Sequence, residues 1–392
     1  MRILVIGAGA VGSAIARNLA SSEEVTTVRV CDTSARSLAQ LGQAVPSKKL
    51  RSYQVSARDA DAMGPILEKS DCVVGAIPYD RIPELARLAL QHGCHYLDLG
   101  NSDRDIQSLL DLADEAREAG LWVVPGCGIA PGLVNILCLH AISQFDQTEA
   151  AYIRVGALPQ DPKPPFKFNF SWSAEKVLDD YTGPVRQIEN GQITSCEALT
   201  GLEQLSFGND FADLEAFCTA GGLAQLPERL EGRVRTLDLK TIRWPGHADR
   251  MRFLIGLGFA EDRSIDIRTH LTYRDILVRR MRQRLGGHQQ DVVLMRILVH
   301  GSTNGNERTL RYEMVEFADP DSGLSAMKYC TAIPAAAIAT ELVSGRVPGG
   351  GAAPPEEMID AEVILEAVRA QGLEIKEIWE DGFTPVTDPA RG

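Results

Sequence analysis

Met1-Arg2-Ile3-Leu4-Val5-Ile6-Gly7-Ala8-Gly9-Ala10-Val11-Gly12 opens the chain, and its reading decides the fold. The apolar run Ile3–Ile6 has the composition of a buried strand, and a glycine-rich turn and a helix-like stretch follow it at once. Val28-Arg29-Val30-Cys31-Asp32 then ends a second strand in an acid, 20 residues beyond Gly12. Strand, glycine turn, helix, strand and acid in this order make a βαβ unit that cradles a dinucleotide.

Each part has a physical task. Gly7 allows the tight turn, Gly9 lets the backbone approach a pyrophosphate, and Gly12 lets helix and strand pack closely. The free N–H groups at the start of the helix, around Ala10 and Val11, hold the phosphate charge. Asp32 is placed to accept hydrogen bonds from the adenosine ribose hydroxyls and to repel a 2′-phosphate, which favours NAD over NADP. Arg36, close behind, is the residue that would accommodate NADP instead. The plain alternative is a glycine turn without ligand, with Asp32 capping Ser34.

Outward from this unit, apolar strand patterns at Ile3–Ile6, Thr27–Cys31, Leu50–Val55, Cys72–Ile77, Tyr96–Leu99 and Leu121–Val124 alternate with helical stretches. The helices are expected at Val11–Ala20, Ala60–Glu68, Ile82–Gln91 and Asp103–Ala119. This alternation predicts an α/β doubly wound (Rossmann) parallel sheet. Ligands in such sheets sit beyond the carboxyl ends of the strands. Ile77 and Pro78 are therefore expected along the nicotinamide face, or else as the start of the next helix, with Tyr79 beside them toward a substrate.

After Pro131 the pattern changes. Strands are expected at Ala151–Val155 and Lys167–Trp172, and Val292–His300 and Thr309–Phe317 flank an Asn304-Gly305 hairpin turn. Ala332–Val343 reads as a helix, Pro355–Gln371 as another, and Leu373–Trp379 as a closing strand. The expected organisation is a dinucleotide-binding domain of residues 1–135 with a C-terminal return from about 331 to 392. Residues 136–330 form an α+β domain with an antiparallel sheet, for substrate binding and self-association. The active site is expected in the cleft between the two.

A chain of 392 residues exceeds the length at which single cores stop growing, about 250–300 residues. A net charge of −13 opposes nucleic-acid phosphates and anionic membranes, so the expected partners are a small-molecule substrate and further copies of the chain. The arginines between Arg274 and Arg284 read as the solvated face of an amphipathic helix. Eight singly scattered cysteines and an opening strand without a charged leader fit a cytoplasmic protein with reduced thiols. His92 and His95 fit packing better than metal binding, and no Gly-x-Ser-x-Gly elbow supports hydrolase chemistry.

Four further segments carry a family likeness. They are Gly126-Cys127-Gly128-Ile129-Ala130-Pro131-Gly132-Leu133-Val134-Asn135, Phe170-Ser171-Trp172-Ser173-Ala174-Glu175-Lys176, Tyr181-Thr182-Gly183-Pro184-Val185, and Lys240-Thr241-Ile242-Arg243-Trp244-Pro245-Gly246-His247. Together they resemble the saccharopine dehydrogenase-like reductases, and most closely the lysine 6-dehydrogenase branch. Ala130 stands where saccharopine reductases carry Asp before Pro-Gly, which favours the lysine branch. The resemblance implies NAD-dependent oxidation of lysine at its side-chain amine, giving ammonia and a semialdehyde that cyclises to piperideine-6-carboxylate.

A hydride leaves an amine-bearing carbon only when nitrogen can donate its lone pair. Such a site therefore needs a proton acceptor, a cation for the carboxylate and an anion for the α-ammonium. Arg243 offers a planar fork for a carboxylate, with Thr241 and Tyr181 alongside as substrate contacts. Lys240 is a base or a second carboxylate contact, His247 a proton acceptor near neutrality, and Asp180 a partner for the ammonium. A reductive condensing enzyme of the saccharopine or carboxynorspermidine type and a non-catalytic NAD-binding regulator are the alternatives.

Overall fold

The computed structural model describes residues 1–77, 81–100, 102–170, 173–287, 290–319, 323–384 and 386. They fold as two compact units, Met1–Ile136 with Lys328–Leu373, and Leu137–Met327 with Glu374–Gly392.

The first unit holds strands β1 (Arg2–Ile6), β2 (Thr27–Asp32), β3 (Leu50–Gln54), β4 (Cys72–Gly75), β5 (His95–Asp98) and β6 (Trp122–Val124). A two-residue edge strand, Gly351–Ala352, joins them in the order edge, β6, β5, β4, β1, β2, β3, every pairing parallel. Chain order runs outward from β1 in both directions, so the carboxyl end of β1 is the switch point where such sheets take ligands. Ile3, Leu4 and Val5 are fully buried because helices cover both faces of a parallel sheet.

Helix boundaries follow capping chemistry. The stretch expected as one helix over Asp103–Ala119 divides into Asp103–Leu110, capped by Ser102, and Ala113–Ala119. Likewise Pro355–Gln371 divides into Pro355–Met358 and Ala361–Ala370, because the Asp360 side chain accepts from Glu362 N and starts a new helix.

The second unit is built on one mixed sheet. It holds β7 (Gln147–Pro159), β8 (Pro184–Glu189), β9 (Gln192–Glu197), β10 (Glu203–Leu205), β11 (Leu214–Cys218), β12 (Thr236–Arg243), β13 (Asp291–Thr303) and β14 (Asn306–Phe317). Their order is β10, β11, β12, β7, β13, β14 and then the terminal strand Lys376–Asp381, with β8 joining β12 and β9. Among the described strand pairs of this sheet only β12 and β7 run parallel, so the expected antiparallel character holds with one exception. Asn304 and Gly305 both take positive φ, 53° and 78°, as a two-residue hairpin turn requires.

Two expectations fail here. Lys167–Phe170 is not a strand; Phe170 alone bridges to Gly286, and Ser171 and Trp172 lie outside the described residues. Phe168 and Phe170 are instead buried with Tyr181 and Phe217, so burial of their rings rather than strand pairing places them. The closing strand does not stay with the nucleotide domain. Lys376–Asp381 pairs antiparallel with β14, where the open edge of the second sheet offers unpaired backbone groups.

Candidate functional site

The glycine turn fits a dinucleotide on three counts. Gly7 has φ 109°, and a Cβ there would lie 2.6 Å from Ala76 O and from the Ile77 methyl Cγ2. At Gly12 a Cβ would stand 2.0 Å from Gly7 O, so the close approach of helix and turn tolerates only glycine. Gly9 is different: a Cβ there would meet nothing within 4 Å. It is the N-cap of helix Ala10–Ser21, has no side-chain cap, and is exposed together with Ala10, while Val11 is half-buried behind them. Open space over uncapped helix N–H groups is what a pyrophosphate requires.

Asp32 fastens this turn. Its Oδ2 accepts from Ala8 N at 2.7 Å and its Oδ1 from Ser34 N at 2.7 Å, which leaves further lone pairs for ribose hydroxyls. Ser34, not Asp32, caps the following helix, accepting from Ser37 N. Ile77 packs against the core beside the turn. Pro78 and Tyr79 lie outside the described residues.

In the second unit, β12 and the turn that follows it bring Arg243 and His247 to Tyr181, which lies near the end of helix Ala174–Thr182. Arg243 Nε donates to Tyr181 Oη at 3.0 Å, and Tyr181 Oη meets His247 Nε2 at 2.9 Å. A guanidinium only donates, so Tyr181 Oη accepts from Arg243, while the direction of the Tyr181–His247 bond depends on the imidazole tautomer. His247 Nδ1 is buried and makes no well-formed hydrogen bond, and the Phe166 backbone favours the charged ring. Burial, reinforced by the charge of Arg243, holds His247 well below the ordinary histidine range. Burial also raises Tyr181, against the lowering effect of Arg243.

His247 is therefore a neutral imidazole whose Nε2 is already engaged by the Tyr181 hydroxyl. It is sandwiched among Phe168, Tyr181 and Phe217, with ring centroids 4.6, 5.5 and 6.1 Å away. This corrects its reading as an open proton acceptor at neutral pH; it positions Tyr181.

Arg243 is 5% exposed and lies over the Phe168 ring, 4.9 Å from its centroid. Its Nη1 donates to Ile242 O at 2.8 Å and Ala157 O at 3.5 Å, and no carboxylate among the described residues lies within ion-pair distance of it. Glu215, its cross-strand neighbour, is committed elsewhere, with Oε2 accepting from Gly246 N at 2.7 Å and Oε1 from Ala248 N at 2.8 Å. Those bonds hold the turn that carries His247. Glu215, Phe168 and Phe217 escaped the sequence reading, although an acid inside Leu214-Glu215-Ala216-Phe217 was a usable signal.

Lys240 does not belong to this group. Side chains of a strand alternate, so Lys240 and Arg243 face opposite sides of the sheet. Lys240 Nζ donates to Glu203 at 2.6 Å, within a network in which Glu203 and Asp238 both clasp the buried Arg154. This pairing does not fit its reading as a base freed by partial burial or as a second contact for a substrate carboxylate. Thr241 shares the face of Arg243 but bonds the Thr219 hydroxyl at 2.7 Å. Asp180 is half-buried beside Tyr181, and its charge raises the phenol further.

The basic helix Tyr273–Leu285 is not simply a solvated face, because Arg274 and Arg282 pair with Asp179 and Glu175 of the Tyr181 helix. All eight cysteines are unpaired, and no cluster of metal-binding side chains occurs among the described residues. No helix among them is long and apolar enough to cross a membrane.

Turn, sheet order and second sheet define a Rossmann-type dinucleotide-binding protein with an added α+β domain. The chain belongs to the saccharopine dehydrogenase family: the NADP-binding domain of that family matches residues 3–124 and its C-terminal domain residues 128–373. The saccharopine dehydrogenase (NADP(+), L-glutamate-forming) of Saccharomyces cerevisiae is 25% identical over 284 residues, 68% of this chain and 60% of that protein. A carboxyaminopropylagmatine dehydrogenase of Synechocystis sp. is 24% identical over 156 residues, 37% of this chain and 39% of that protein. The chain thus spans less than two thirds of the length of either relative.

Among solved structures, apo saccharopine dehydrogenase from Saccharomyces cerevisiae shares the fold with a TM-score of 0.79 at 17% identity, covering 97% of this chain and 99% of that one. Homospermidine synthase from Legionella pneumophila, in complex with NAD, has a TM-score of 0.70 at 14% identity, covering 100% of this chain and 93% of that one.

Proposed function

We propose that the protein is a nicotinamide-dependent oxidoreductase that oxidises a carbon–nitrogen bond in a small amine bearing a carboxylate, and we assign L-lysine, at its side-chain amine, as the substrate. The observation that carries the reading is Arg243, a buried cation with a fixed orientation and no carboxylate partner among the described residues. A buried guanidinium left without an anion is costly, and a substrate carboxylate supplies one.

In this reading Tyr181, held by His247, fixes the guanidinium plane, and the apolar rings of Phe168 and Phe217 keep water from the ion pair. The bound dinucleotide supplies the hydride acceptor. The substrate amine loses its proton before the hydride leaves, and water then hydrolyses the resulting imine to the semialdehyde and ammonia. NAD is the preferred cofactor in this proposal, because Asp32 presents a carboxylate where a 2′-phosphate would stand. Ala130, in place of an acid before Pro131-Gly132, supports a primary amine over saccharopine. Self-association through the second unit is supported by the exposed Phe253, Leu257 and Ile267, and a cytoplasmic location by eight unpaired thiols.

A saccharopine-type secondary amine is the second reading, favoured by the names of the relatives and by the NADP-binding domain match. The test is a panel of lysine, ornithine, saccharopine and cadaverine with NAD and with NADP, read as absorbance of the reduced cofactor. Turnover of lysine with ammonia release supports the assignment. Turnover of saccharopine alone replaces it with the second reading, and reduced-cofactor formation from none of them refutes both.

A further inference from the structure

Helix His247–Gly256 starts at Gly246, which has no side chain to cap it. Glu215 of β11 supplies the cap from a neighbouring strand. Its Oε2 accepts from Gly246 N at 2.7 Å and its Oε1 from Ala248 N at 2.8 Å, so both oxygens hold the backbone groups that flank His247. A carboxylate on the free N–H groups of a helix start is favoured by charge as well as by hydrogen bonding. Gly246 meets it at φ 85°, where a Cβ would stand 2.5 Å from Arg250 Nη1. Trp244 Nε1 fastens the same turn from its other end, donating to Pro159 O at 3.1 Å.

Glu215 is 6% exposed, and no step proposed above employs it. Its contacts close a ring. They run through Gly246 and Ala248 to His247, from His247 Nε2 to Tyr181 Oη at 2.9 Å, and from Tyr181 Oη to Arg243 Nε at 3.0 Å. Arg243 is the cross-strand partner of Glu215, so the ring returns to its start through the pairing of β11 with β12. Burial chiefly raises the Tyr181 phenol, Arg243 opposes this, and the charges of Asp180 and Glu215 add to the rise. An arginine side chain has much rotamer freedom to lose, and fixing it before a ligand arrives lowers the cost of binding.

We propose that Glu215 is a positioning residue for the substrate carboxylate, acting through the His247 turn and Tyr181 to hold the Arg243 guanidinium in its binding orientation. The inference rests on the reading of Arg243 as the carboxylate anchor. It deepens that reading by assigning part of the selectivity for carboxylate-bearing amines to a residue whose own oxygens are committed to backbone N–H groups. In Glu215→Gln the amide keeps the shape but offers one acceptor to two donors, so one anchor of the turn is lost.

Steady-state kinetics and a double-mutant cycle test this, with L-lysine, or saccharopine if that is the amine turned over, against cadaverine, which lacks the carboxylate. Glu215→Gln is expected to raise KM for the carboxylate substrate roughly tenfold while kcat changes less than about twofold, since binding remote from the reacting carbon is what is lost. Cadaverine turnover and NADH affinity are expected to stay near their wild-type values. In an Arg243→Met background, Glu215→Gln is expected to cost nothing further on the carboxylate substrate, because the group that it positions is gone. Glu215→Asp keeps the charge and one N–H contact, and it carries the test if Glu215→Gln does not fold. Its expected effect is the same rise in KM by a smaller factor, and a wild-type KM there overturns the inference. Equal losses on the carboxylate substrate and on cadaverine, or losses that add in full to those of Arg243→Met, make Glu215 a purely structural residue and overturn it while the carboxylate-anchor reading stands. Equal losses on both amines in Arg243→Met, or turnover of none of them by the wild type, overturn that reading and this inference together.

Discussion

Replacing Glu203 by Gln separates the structural from the catalytic account of Lys240. Arg154 is 1% exposed, and its guanidinium is clasped by Glu203 through Nε and Nη2 and by Asp238 through Nη1 and Nη2. Lys240 adds a second cation on Glu203. Removing one partner from a buried ion pair typically costs about 3–5 kcal/mol. Asp238 remains in the variant, so the lower end applies, about 3 kcal/mol. For domains of about 150–250 residues each kcal/mol shifts Tm by roughly 2–4 °C, which gives a drop of about 6–12 °C for Glu203→Gln. Burial opposes ionisation of Glu203, but Arg154 and Lys240 outweigh it, so its folded pKa lies below the unfolded one. The stabilisation is thus present above the ordinary glutamate value and lost as pH falls through the folded one, so the gap between wild type and variant closes in acid. Scanning calorimetry from neutral to acid pH measures this. Lys240→Met, assayed alongside, is expected to lower Tm while preserving the shape of the pH–rate profile. An unchanged Tm in Glu203→Gln, or a pH–rate profile whose shape changes in Lys240→Met, would refute the structural assignment and restore Lys240 as the base.

Gly9→Ala is expected to keep the wild-type Tm, since its Cβ meets nothing in the chain, yet to weaken NADH binding at least tenfold by fluorescence titration; equal affinity would mean that no pyrophosphate sits there. Gly12→Ala, whose Cβ would stand 2.0 Å from Gly7 O, is expected to lose Tm as well as binding. Arg243→Met should reduce kcat/KM for lysine by roughly tenfold or more, the loss of one charge-assisted hydrogen bond of about 1.5–3 kcal/mol, with little effect on weak turnover of cadaverine. Equal losses on both amines would show that Arg243 serves the fold. For Glu356 the folded pKa is raised, so its contribution to stability is full below the ordinary glutamate value and lost as pH rises through about 7. The Tm of Glu356→Gln relative to wild type should therefore increase from acid to alkaline pH, and parallel curves would contradict the burial of an ionisable carboxyl.

Local pattern made the first unit legible. Ile3–Ile6, the turn Gly7 to Gly12 and Asp32 each announce their role through neighbours close in sequence, because strand burial, turn geometry and helix N-termini are properties of a few successive residues. The Asn304-Gly305 hairpin was readable for the same reason. What only the tertiary structure decided depends on residues far apart along the chain. Tyr181 and His247 are 66 positions apart, Arg154 and Asp238 84, and Arg154 and Glu203 49, so no window of sequence shows that the first pair fixes Arg243 while the other two engage Lys240. Strand β12 carries polar residues on both faces, which hid the alternation that puts Lys240 and Arg243 on opposite sides. Glu356 looks like an ordinary helix-starting acid in the sequence, and only the assembled fold makes it a buried carboxyl. The terminal strand was visible as a strand, but its partner was not, since pairing is set by whichever sheet edge lies open, and that is a property of the assembled fold.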